Sequence, residues 1–156
     1  MVENLKFVRK PIINKTGIYG FFGEYRWLSN FHLSPVTVDG MTYNSAEHAF
    51  MAMKTFNPDE RKVLSLMSLP VDARRYGQTV KLRPDWERVK VSMMKKVLQA
   101  KFHQDKGLGA ALLATDPLYL EETNDWGDVF WGVSEGKGQN NLGRTIMEVR
   151  DELKYN

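Results

Sequence analysis

A chain of 156 residues, 42% apolar and 26% charged, carries enough apolar material for one buried core and too little for two domains. It has no cysteine, which excludes disulfides, thiolate nucleophiles and cysteine-based zinc sites, and His32, His48 and His103 lack metal-ligand spacing. A net charge of +3 suits an anionic ligand but falls short of a general nucleic-acid surface.

No apolar run is long enough to span a bilayer, and the first residues lack the pattern of a signal peptide, so a cytoplasmic location without a membrane partner is expected. Residues 1–19 alternate around Leu5, Phe7 and Val8 before Pro11-Ile12-Ile13 and predict an edge strand or extended arm; residues 20–156 are expected to form one domain. Ile18 to Phe31 is rich in aromatic and branched residues with two glycines, which predicts a strand running into a tight loop. Asp39-Gly40 between β-prone runs predicts a hairpin with a type I′ turn.

A helix follows, with Asn44 expected as N-cap and Glu47 completing a capping box, and with its end near Asn57-Pro58. Helical spacing puts Glu47, Phe50, Met51 and Lys54 on one face, the two charges two turns or roughly 10 Å apart. An acid and an amine on an otherwise apolar face are costly unless they pair or line a site. Further helices are predicted over 59–67, 70–77, from Trp86 to about 102, 108–113 and 142–153, with a strand over 119–122 and a loop over 123–141. The sum is an α+β fold, mostly helical, with a small N-terminal β-hairpin or sheet.

Two loops stand out. Glu122 to Gly132 holds three acids and two tryptophans, either as a packed Ω-loop or as rings and carboxylates facing a ligand. Gly136 to Arg144 leads a glycine-rich stretch into a helix N-terminus, where free amides hold phosphate, although the Walker spacing is absent.

The order of these features carries a resemblance. Phe22-Gly23-Glu24, Leu28-Ser29-Asn30-Phe31, Tyr43-Asn44-Ser45-Ala46-Glu47-His48-Ala49-Phe50, Lys54, Trp86, Lys101-Phe102, Glu122, Asp128, Trp131-Gly132 and Gly138-Gln139-Asn140-Asn141-Leu142-Gly143-Arg144 resemble the NADAR (YbiA-like) family over about residues 20–153. Phe50 stands where the family usually has tyrosine. The resemblance implies a hydrolase of N-glycosidic bonds, without organic cofactor, metal or obligate protein partner. It implies two substrate groups: phosphoribosylated amino-pyrimidine intermediates of riboflavin biosynthesis, and ADP-ribosylated guanine in nucleic acid.

Breaking a C1′–N bond develops positive charge on the ribose and negative charge on the base, so carboxylates near the sugar and hydrogen bonds at the base are expected. Glu47 and Asp128 are the candidate carboxylates, with a capping-box role the alternative for Glu47. Lys54 is either a nucleophile forming a Schiff base with the opened ribose or a surface lysine at a helix end. Trp86 and Trp131 are candidates for stacking on the base, Asn30 and Asn140 for hydrogen bonds, and Arg26 and Arg144 for the phosphate. His48, Met93, Met94 and Met147 are expected in the core. The rival function is a non-catalytic module binding ADP-ribose, NAD or a related nucleotide.

Overall fold

The hairpin is the simplest element to derive. Strands β3 (Leu33–Val38) and β4 (Met41–Ser45) pair antiparallel, and β3 alternates outward and inward residues, burying Ser34, Val36 and Val38. Asp39 and Gly40 between them both have positive φ, 53° and 79°, as the type I′ turn requires. The computed structural model describes residues 9–156, so the alternation around Leu5, Phe7 and Val8 lies outside the described residues.

Upstream, β1 (Ile12–Ile13) pairs antiparallel with β2 (Gly17–Tyr19), which in turn pairs in parallel with β5 (Tyr119–Glu121). Gly17 is required in this close pairing, because a Cβ there would meet the Tyr119 carbonyl at 2.5 Å. The aromatic stretch after β2, predicted as a tight loop, coils into 3-10 turns over Gly23–Leu28.

β4 runs directly into α1 (Ala46–Met53). Its N-cap is Ser45, one residue later than Asn44: the Ser45 hydroxyl accepts from the His48 amide and bonds the His48 ring at 2.6 Å. Asn44 still belongs to the strand, and its side-chain amide donates to the Met67 carbonyl at 2.7 Å. The helix also ends at Met53, four residues before Asn57. Arg61 and Arg83 take its last carbonyls: Arg61 Nε bonds Ala52 O and Thr55 O, and the Arg83 amide bonds Lys54 O at 2.8 Å. Every residue of α1 is buried.

Three helices, α2, α3 and α4, pack directly on it. α2 (Pro58–Leu66) starts at an Asn57 cap, and α3 (Pro70–Gly77) runs from its proline to its glycine as the sequence predicts. Gly77 lies against Met51, where a Cβ would collide with the sulfur, so α3 can press on α1. α4 (Trp86–Gln104) buries Trp86, Met94, Val97, Leu98, Lys101 and Phe102 and packs on α1, β3 and α6 (Asn141–Lys154); α5 (Lys106–Ala114) completes the layer. The stretch 123–141 is not all loop: β6 (Thr123–Asn124) and β7 (Val133–Ser134) pair in parallel inside it. Helices and small sheets form one domain of α+β class. Among the described residues no helix is long and apolar enough to cross a membrane.

Candidate active site

The predicted face of α1 opens onto a cleft of about 700 Å³ that is lined by Glu47, Phe50, Met51 and Lys54 together. Opposite stand Glu122, Trp126, Asp128 and Trp131 of the acidic loop; the segment after β2 contributes Phe22, Arg26, Ser29 and Asn30, α3 contributes Arg74, and its C-cap Gln78.

Glu47 sits in the first turn of α1, its amide donating to Asn30 O at 3.0 Å, so helix and loop fix its Cα from both sides. Its carboxylate has no ion pair or hydrogen bond among the described residues. Burial pushes it up to about 7, against the pull of Arg74 and Lys54 and with some help from Asp128. Lys54, the C-cap of α1, is half-buried, and burial lowers its amine while Glu47 partly restores it. An amine with a lowered pKa is more often neutral, and a neutral amine can attack carbon.

The loop is held by side-chain amides. Buried Asn124 donates to the carbonyls of Asp128, Glu122 and Val133 at 2.8–3.3 Å and accepts from the amides of Trp126 and Asp128. Asp128 Oδ1 in turn accepts from Phe130 and Trp131 amides at 3.2 and 2.9 Å, which orients the carboxylate. Trp131 meets Phe50 and Phe130 edge to face, at 5.4 and 4.8 Å between centroids.

Glu122 is partly exposed as a residue, yet its Oε2 is occluded and has no hydrogen-bond partner. Burial, then Asp128 and Glu47, push its carboxyl up to about 8, opposed by Lys101. Lys101 is fully buried behind the cleft and donates to Ser29 O at 2.9 Å. Burial pushes it down to about 7, opposed by Glu122 and Asp105. No ion pair within 4 Å joins Glu122 to Lys101, so burial drives both toward neutrality.

Of the residues singled out from sequence, Glu47, Lys54, Asp128, Trp131, Asn30 and Arg26 line the cleft, and Asn30 presents a buried Oδ1 without a partner. Three do not. Trp86 is 7% exposed and packs behind Phe50 at 5.2 Å, so it supports the wall rather than stacking on a ligand. Asn140 is buried in left-handed conformation, its Nδ2 on Leu120 O and the Tyr119 hydroxyl and its Oδ1 on the Glu122 amide. Arg144 is exposed on α6 away from the cleft. Nor is the glycine-rich approach to α6 an open phosphate cradle: the amides of Asn140, Asn141 and Leu142 are taken by Gly132, Phe130 and Trp131 carbonyls. His48 is core, as expected, at 0% exposure.

Sequence reasoning missed Glu122 as a separate site group, and Arg74, Gln78, Phe22 and Arg9 on the rim. Glu122 had a signal, its place in a run of acids; Arg74 and Gln78 had none, because only the packing of α3 on α1 turns them inward. Among the described residues no group of three or more His, Asp or Glu is arranged to hold a metal ion.

A family model of the NADAR domain matches residues 19–154. The chain is 41% identical to N-glycosidase YbiA of Escherichia coli K12 over 149 residues, covering 94% of this chain and 91% of that protein. The solution structure of the E. coli protein YbiA superposes with a TM-score of 0.80 at 38% identity, over 92% of this chain and 88% of that one. The chain is also 35% identical to "Riboflavin biosynthesis protein VVA0006" of Vibrio vulnificus, over 84% of its own length and 36% of the relative's.

Proposed function

This chain belongs to the NADAR domain family and is an N-glycosidase, and we propose that its cleft hydrolyses the bond between C1′ of a phosphorylated ribose and the nitrogen of an amino-bearing base. The observation that carries this reading is the meeting of Glu47 and Lys54 from one helix face with Asp128 and Trp131 from the loop across one cleft. Trp131 holds the base. Asp128, fixed through Oδ1, keeps an oxygen for the positive charge that develops on the ribose. Glu47, poised near neutrality by burial, takes the proton of the attacking water. In a second route Lys54 attacks C1′ and the base leaves, the C1′–O4′ bond of the resulting glycosylamine then breaks to give a Schiff base with the opened ribose, and water hydrolyses it. Arg26 and Arg74 on the rim meet the phosphate.

A ribosylated amino-pyrimidine phosphate is the preferred substrate, a choice supported by the relative named for riboflavin biosynthesis. ADP-ribosylated guanine is the second, supported by Trp126, 43% exposed at the cleft mouth, with Phe22 edge-on at 6.3 Å and Arg9 over its ring at 5.4 Å. A cytoplasmic location belongs to the same proposal. Incubation with each compound and chromatography for free base tests it. Release from the pyrimidine substrate is expected; binding without release from either would replace the enzyme reading with a nucleotide-binding module. Borohydride added during turnover separates the routes, since only the Lys54 path leaves a trapped ribose adduct on the protein.

A further inference from the structure

We propose that Glu122 is the proton donor to the departing nitrogen, a role distinct from those of Glu47 and Asp128. The inference rests on the N-glycosidase reading of the cleft. Cleavage of C1′–N expels a poor leaving group, and an amine leaves readily only if it gains a proton as the bond breaks. A donor must carry that proton at working pH and present it where water does not compete.

Glu122 meets both needs by geometry. It lines the cleft, and its Oε2 is shut off from solvent with no protein acceptor or donor to occupy it. A buried carboxylate oxygen with no donor favours the protonated acid, whose O–H then lacks an acceptor until substrate arrives. The surroundings reinforce this: Glu47 from α1 and Asp128 from the same loop are like charges beside it, and Lys101 from α4 is the opposing cation. The backbone of Glu122 is pinned at both ends, its amide to Asn140 Oδ1 at 3.0 Å and its carbonyl by the Val133 amide at 2.9 Å. Asn140, expected from sequence to touch substrate, is thus a positioning residue for the acid.

The step balances. The Glu122 proton moves to the leaving nitrogen as C1′–N breaks, leaving a carboxylate and the free amine. Water bonds C1′ and loses its proton to Glu47; proton exchange through solvent then returns Glu47 to carboxylate and Glu122 to acid. On the Lys54 route the same proton serves the same nitrogen.

The test compares two substrates with Glu122→Gln, which keeps the shape of the protonated acid. One is a ribosylamino-pyrimidine 5′-phosphate, the other p-nitrophenyl ribofuranoside 5-phosphate, whose leaving group departs as an anion without protonation. The expected result is a fall in kcat on the amine substrate of about 10²- to 10⁴-fold, and a ratio of the two activities shifted at least about 100-fold toward the nitrophenyl compound. The alkaline limb of the kcat profile, expected near pH 8 in the parent protein, should be lost in Glu122→Gln. Equal losses on both substrates, unchanged amine cleavage, or a limb that persists and so belongs to Lys101 or Lys54 would each overturn the assignment. Glu122→Asp, which withdraws the acid by one methylene, should give the same selective loss in milder form and serves if the glutamine variant does not fold. Failure of the parent protein to release base from either compound would instead strike the N-glycosidase reading itself.

Discussion

The two walls of the cleft are built on different principles. On one side α1 holds Glu47 and Lys54 by burial: all of its eight residues are inside, and the acid itself has no side-chain partner among the described residues. On the other, the loop from Glu122 to Trp131 has little regular structure and is held by hydrogen bonds given and accepted by the side chain of Asn124 and accepted by that of Asn140. Packing fixes a helix face without spending the charge it carries. An irregular loop has its backbone groups to satisfy first, and two buried asparagines do so while leaving Asp128 and Glu122 oriented toward the cavity.

The sharpest break in that comparison is Glu47→Gln, expected to lower kcat about 10²- to 10⁴-fold while circular dichroism is unchanged, since packing rather than the charge holds α1. Asn124→Ala should instead damage structure: several buried loop groups lose their partner, at an expected cost on the order of 3 kcal/mol in urea unfolding. Next comes a pH effect on stability. The Glu47 carboxyl in the folded protein is raised from about 4.5 to about 7, so the folded state holds a proton that the unfolded chain gives up. Its unfavourable contribution therefore grows as pH rises from about 4.5 to about 7. Glu47→Gln should then be more stable than the parent by on the order of 1–3 kcal/mol at pH 8, with the gain gone near pH 4, measured by melts across that range. Ser45→Ala removes the cap that starts the helix wall and should cost about 1 kcal/mol. Arg144→Ala, outside both walls, should change stability by less than about 0.5 kcal/mol and leave kcat and KM within experimental error; a raised KM would return Arg144 to the phosphate site.

The difference between the walls also explains what the sequence disclosed. The face of Glu47, Phe50, Met51 and Lys54 was legible because helical periodicity is a local property, and the Asp39-Gly40 turn and the Pro70 to Gly77 helix were legible for the same reason. The cap was misplaced by one residue because Asn44 and Ser45 are both good caps; only the pairing of β4 and the distant Met67 carbonyl decide between them. Across the cleft, composition pointed to the loop but not to its inner side. Asn140 and Trp86 carry suitable chemistry, and what removes them from the cavity is long-range: Asn140 is taken up by Leu120, Tyr119 and Glu122, and Trp86 lies behind Phe50. Glu122 owes its raised carboxyl first to burial, then to Asp128 of its own loop and Glu47 of α1, and burial by distant elements is not a local pattern.

The parallel pairing of β2 with β5 sets a timetable for this protein. Five helices lie between the two strands, so their union closes one of the longest loops in the chain and is expected among the later events of folding. Glu122 follows β5 directly, and a register slip of one residue would turn it away from the cavity. A refolding chain should therefore regain its helical signal first and its catalytic competence last, with an interval in which the helix wall stands complete and faces nothing.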